Sequence, residues 1–265
     1  MDWLHFSLVA GLIALYGGYL LLVGPIRRRF HTPDQIWAEP VELREVILFS
    51  TGILVLLVSE ASPLHDLSEH YLLSAHMVQH LLMTMVAPPL LLMGTPAWAL
   101  RPALRNPRVY RVARFLTNPL VAIIIFNAGL AIWHLPTLYN AALANHLIHL
   151  LEHLTFMIGA FVLWWPIFSP VKQLPRLNYP GQILYLFVQS LLPAIVAAFI
   201  TFSNRVMYTF YVDKPRIWDI SPVTDQQIGG LIMKLVGTLI LWFVATVIFF
   251  VWFQHEEAEI EKSWE

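Results

Sequence analysis

Seven stretches of about twenty predominantly apolar residues constrain this chain more than any other feature. They lie near 4–24, 43–60, 71–94, 117–134, 146–168, 181–203 and 227–253. About twenty such residues in a helix cross the hydrocarbon core of a bilayer. Pro25, Pro63, Pro96, Pro119, Pro170, Pro180 and Pro222 fall near the ends of these stretches, where proline interrupts a helix least. Only 12% of the residues are charged and the mean hydropathy is +0.64, against about 25% charged in a soluble domain. The sequence therefore predicts an all-α membrane protein, a seven-transmembrane-helix bundle. No soluble domain fits between the spans, so 1–265 reads as one membrane domain. Its end, 254–265, is a short acidic tail with Glu256, Glu257, Glu259, Glu261 and Glu265, read as a solvated helix end.

The loops orient the bundle. Arg27, Arg28, Arg29 and Arg44 fall in the first loop, and Arg101, Arg105, Arg108, Arg111 and Arg114 in the third. Lys172 and Arg176 fall in the fifth, and Lys262 in the tail, which places 12 of the 16 basic residues on one side. Arg205, Lys214 and Arg216 lie on the other side, and Lys234 inside a span. Basic loops stay cytoplasmic, so the N-terminus is outside and the C-terminus cytoplasmic. The first span is not a cleavable signal, because its positive charge follows the apolar run.

A net charge of −1 gives no reason to expect nucleic acid, and the absence of cysteine excludes disulfides and thiolate ligands. Histidine is the informative residue. His76 and His80 stand in the first turns of span three, His134 closes span four, and His146, His149 and His153 open span five. All of these ends face outward. His65 and His70 are expected in a loop over the opening. At 100° per residue, His76, Gln79, His80 and Met83 share an arc of about 100°. His146, His149 and His153 share an arc of about 60° on their own helix. Facing stripes would present several imidazoles at one depth, where lipid offers polar groups no partner. Imidazole suits zinc, copper, iron and nickel, and thioether favours Cu(I). The other readings are structural hydrogen bonding and proton handling.

Asp225, at the outer start of span seven, is expected to orient an imidazole from outside the ligand set. Its other reading is an acid favoured by a helix N-terminus. Glu152 falls about 100° off His153 and joins Gln79 and Asp225 as a supporting residue. Lys234 points away from Asp225 and is left out of the site. Trp133, Tyr139 and Trp218 are expected at the outer interface, and Trp164 and Trp165 at the inner one.

Residues 149–153 match H-x-x-E-H, the string of a zinc hydrolase class in which His149 and His153 would bind zinc and Glu152 act as base. A longer series is more specific. It runs His76-Met77-Val78-Gln79-His80, then Trp133-His134-Leu135-Pro136 with Leu138 and Tyr139. His149-x-x-Glu152-His153-x-x-Phe156 and Leu163-Trp164-Trp165-Pro166 follow, and Asp225-Gln226-Gln227-x-Gly229-Gly230 with Met233 closes it. In this order on seven spans, over about 40–255, the chain resembles the CtaG-type cytochrome c oxidase assembly factors of bacterial membranes, which are unrelated to the single-span copper protein sharing that name.

The resemblance implies a non-enzymatic role in maturing haem–copper oxidase by bringing copper to it. Zinc is the alternative ion. The expected partners are oxidase subunit I or other assembly factors, within the bilayer of a bacterial plasma membrane; a homo-oligomer is left open. His76, His80, His149 and His153 are the expected ligands, with His146 and His134 at the mouth and Met83 further off. A membrane zinc hydrolase and a haem carrier with axial histidines are the competing functions.

Overall fold

The computed structural model describes residues 3–27, 31–32, 35–36 and 39–264; Arg28, Arg29 and Glu265 of the sequence argument lie outside the described residues. Helix α1 (Trp3–Leu21) runs into a π turn (Leu22–Ile26) around Pro25. Two short strands, β1 (His31–Thr32) and β2 (Gln35–Ile36), pair antiparallel with His31 opposite Ile36. Then come α2 (Leu43–Ala61), α3 (Pro63–His70), α4 (Leu73–Leu81), a π turn (Leu82–Val86) and α5 (Ala87–Met93). The chain continues through α6 (Ala97–Leu104), α7 (Pro107–Leu116), α8 (Pro119–Trp133), α9 (Pro136–Ala144) and α10 (His146–Phe168). Helices α11 (Tyr179–Phe202) and α12 (Pro222–Trp264) close it, with a 3₁₀ turn at Thr209–Tyr211 between them.

The helix starts follow local chemistry. Pro63, Pro107, Pro119, Pro136 and Pro222 open helices, where a missing N–H costs nothing. Asn118 accepts from the amides of Leu120 and Val121, and Asn145 from those of Leu147 and Ile148. Such caps satisfy amides that a helix cannot satisfy itself.

Among the described residues, five segments are long and apolar enough to cross a membrane: Val9–Ile26, Leu73–Met93, His146–Phe168, Tyr179–Phe202 and Pro222–Glu259. Two bent pairs, α2 with α3 at 44° and α7 with α8 at 70°, make seven if each counts as one span. The third expected span runs unbroken from Leu73 to Met93 but carries a π turn ahead of Pro88 and Pro89. The last is longer than expected, because α12 carries on through the acidic segment to Trp264. His65 and His70 sit on α3, a helix rather than the expected loop.

The core lies between α2, α4, α8, α10, α11 and α12, where Ile53, Met77, Phe126, Phe156, Leu186 and Leu241 are buried together. Lipid-side positions stay apolar and exposed, as at Leu54, Leu154, Phe199 and Leu239. Two glycines let helices touch. A methyl on Gly230 would meet Thr201 N at 2.8 Å and Ala197 O at 3.0 Å on α11. A methyl on Gly94 would meet Glu45 O at 2.7 Å on α2. Three of the five aromatic rings expected at the interfaces are buried, and one of them, Trp133, is 8% exposed and donates to Thr155 Oγ1 on α10 at 2.9 Å. Trp164 and Tyr139 are each 1% exposed, and Trp164 donates to Thr84 O on the neighbouring span at 2.9 Å. These rings pack between helices. Trp218 is 72% exposed.

Candidate metal centre

Two helices start side by side at the same end of the bundle. The amides of Leu73 and Ser74 at the start of α4 donate to the two carboxylate oxygens of Asp225 on α12, at 2.7 and 3.2 Å. Asn145 caps α10 with its own side chain. The histidine rings from the first two turns of each helix meet across the gap between them. At the opposite end, Met93 and Phe168, near the other termini of these spans, share a cavity wall with Arg44 and Arg176.

Six polar side chains meet between these turns: His76 and His80 on α4, His149, Glu152 and His153 on α10, and His134 just after α8. Each is less than a tenth exposed. His76 has its ring centroid 4.2 Å from His80, 5.9 Å from His149 and 6.4 Å from His153. His80 lies 5.5 Å from His153 and 6.4 Å from His134, and its Nε2 is 3.9 Å from Glu152 Oε1. One ligand atom each from His76, His149 and Glu152 fits within a 4.8 Å span.

The hydrogen bonds around this group are one-sided. His153 Nδ1 donates to Glu60 Oε2 at 3.1 Å, His149 Nδ1 to Glu69 Oε1 at 2.9 Å, and His134 Nδ1 to Leu130 O at 2.8 Å. In each ring the proton is on Nδ1, so the lone pair is on Nε2, and that Nε2 is buried without a partner. A carboxylate or carbonyl on one imidazole nitrogen, with the other nitrogen left free, is the usual support of a metal-binding histidine. Both nitrogens of His76 and of His80, and both oxygens of Glu152, are also buried without a partner. A buried polar group left unsatisfied costs about 1–3 kcal/mol. Nine such atoms in one place rival the entire stability of an ordinary domain, about 5–15 kcal/mol. The donor set of five imidazoles and one carboxylate fits a cation of borderline character.

A second layer ties the acids together. Gln79 donates to Glu60 Oε1 at 3.4 Å and to His65 Nδ1 at 3.1 Å, and accepts from the Ser68 hydroxyl. His65 Nε2 then donates to Glu69 Oε1 at 3.2 Å. Tyrosines close one side of the cluster. Tyr139, whose ring is 5.2 Å from His76, shares a 3.2 Å hydrogen bond with Tyr211, and Tyr211 donates to Ser68 O at 2.7 Å. Tyr208 donates to His134 O at 2.9 Å. Burial holds the Tyr139 and Tyr211 phenols well above their ordinary value, so both keep their protons.

The structure thus brings together His76, His80, His134, His149 and His153, with Gln79 behind them. It also brings in Glu152, which helical-wheel spacing places off the stripe. His149 and Glu152 are i,i+3 neighbours and share a face, and a carboxylate in an apolar span is itself a signal. Three expected residues sit elsewhere. Asp225 caps α4 and orients no imidazole. Glu60 and Glu69 take the role expected of it. His146 is exposed and lines an outer pocket of about 320 Å³ with Glu69, His70, His149 and Lys214. Met83 is buried inside the π turn. There the helix winds more loosely than the α geometry that put Met83 on the His stripe.

A family model described as "cytochrome c oxidase caa3 assembly factor" matches residues 17–255. The chain is 29% identical over 245 residues to uncharacterised proteins of Mycobacterium bovis and Mycobacterium tuberculosis, covering 86% of this chain and 36% of each of them. An uncharacterised protein of Mycobacterium leprae is 25% identical over 247 residues, covering 87% and 36%. The chain spans a little over a third of the length of these curated relatives. No solved structure matches it.

Proposed function

The chain belongs to the cytochrome c oxidase caa3 assembly factor family, and from that membership we propose that it carries a copper ion to the oxidase while the enzyme is being built. The observation behind this reading is the concentration of unpartnered buried nitrogen and oxygen atoms on His76, His80, His134, His149, His153 and Glu152. Copper here is cargo. Imidazole binds both oxidation states of copper, and a site without thiolate holds it less tightly than one with, as a donor requires. The residues of this chain bind it, keep bulk water away and orient the rings through Glu60, Glu69 and Leu130 O.

Both bent pairs cross the membrane in this reading, giving seven spans with the N-terminus outside. The centre then lies at the outer side, opposite the basic loops that carry Arg44, Arg101 and Arg176. The acceptor is the oxidase or an assembly partner in the same bacterial plasma membrane. The protein performs no bond-making of its own: Glu152 is a ligand in the reading, not a base activating water.

Metal analysis under reducing conditions tests this. Purified protein loaded with Cu(I) retains at least one equivalent, and His76→Ala and Glu152→Gln lose the one held by the imidazole cluster. Cells carrying either variant make the membrane protein but little active oxidase. Retention of copper by both variants, with full oxidase activity, overturns the proposal. Peptide or ester hydrolysis that needs Glu152 and zinc would point to the hydrolase instead.

A further inference from the structure

Beside the metal centre, deeper in the bundle, lies a small cavity of about 50 Å³. His80 and His134 are part of its wall, and Met77, Met85 and Met233 are among the residues that line it. Its volume holds a few water-sized particles and excludes any organic cofactor, whose pocket needs several hundred Å³. No carboxylate lines it, and an apolar cavity does not hold a bare charge. Neutral sulfur and imidazole donors there suit a soft monovalent cation and disfavour a divalent one, which would call for acids.

We propose that this cavity is a second, softer copper station through which Cu(I) leaves the metal centre sideways toward an acceptor embedded in the membrane. The inference rests on the copper reading above and adds the exit route and the oxidation state. His80 and His134 belong to both places: they are members of the imidazole cluster and walls of the cavity. Copper moves from one donor set to the other by ligand exchange, with no electron transferred and no proton needed. Pro193 and Lys234, in its wall, are partly exposed, and the proposed exit runs past them. Lys234 also explains why the station empties. A basic side chain on the wall repels the cation, so occupancy is brief.

The test loads the full-length protein in detergent with one and then two equivalents of Cu(I), and reads copper–sulfur scattering by X-ray absorption. The first equivalent enters the imidazole centre, and the second brings sulfur ligation. The volume-conserving variant Met77→Leu/Met85→Leu/Met233→Leu stops at one equivalent and shows nitrogen and oxygen only. Should it misfold, Met233→Leu alone weakens the second equivalent measurably. Lys234→Gln binds that equivalent about tenfold more tightly. A second equivalent held without sulfur, held equally by the methionine variants, or indifferent to Lys234, overturns the exit station while leaving the first site standing. A protein that takes up no copper at all overturns the reading beneath it.

Discussion

His153 Nδ1 lies 3.1 Å from Glu60 Oε2, across 93 residues of sequence and from one helix to another. Together with the 2.9 Å pair of His149 and Glu69, it turns two imidazoles so that their free nitrogens face His76, His80 and Glu152. The work of the carboxylates is to fix the tautomer and the ring angle.

Replacing either acid should therefore weaken the site without removing a ligand. Glu60→Gln and Glu69→Gln are each expected to lower metal affinity by about 10–100-fold. Competition titration against a chelator measures this. An unchanged affinity in both variants would mean that the rings are held by packing alone.

Asp225 should behave differently. It accepts from two amides and a hydroxyl at the start of α4. Asp225→Ala is expected to cost about 1–2 kcal/mol of stability, the loss of a helix cap. Thermal unfolding in detergent should show a lowered midpoint. Copper stoichiometry at low temperature should match that of the unmodified protein; its loss with the fold intact would return Asp225 to the site.

Gly230 packs against the backbone of α11. Gly230→Ala puts a methyl within 3.0 Å of Ala197 O, and neither backbone can give way as a flexible side chain would. Overpacking of this kind costs about 1–3 kcal/mol. A methyl on Gly129 would meet nothing within 4 Å, which makes it the control: Gly129→Ala should leave the unfolding midpoint unchanged or raised. Equal effects at the two positions would contradict the packing.

The chain has no cysteine, which makes topology easy to measure. Single cysteines replacing Lys214 and Arg108 should react with a membrane-impermeant maleimide on opposite sides. In intact cells Lys214→Cys labels and Arg108→Cys labels only after lysis. The reverse pattern would place the metal centre on the cytoplasmic side.

The sequence alone determined that this chain is a bundle of apolar helices, which loops carry its positive charge, and which two helices begin with histidines in register. Those properties are local. Hydropathy is read over twenty residues, and the 3.6-residue period aligns His76 with His80 and His149 with His153 whatever packs against them. Tertiary structure decided what each acid is for. A carboxylate is satisfied equally by helix amides and by an imidazole, and nothing along the chain says which is nearer. So Asp225 went to Leu73 and Ser74 while Glu60 and Glu69 reached His153 and His149. Glu152 turned inward because its i,i+3 partner His149 faces the same gap. Met83 fell outside the cavity that Met77 and Met85 line, because the π turn at Leu82–Val86 breaks the period from which its position was read. Local periodicity fixes the face of a helix, but only packing between helices fixes what that face meets.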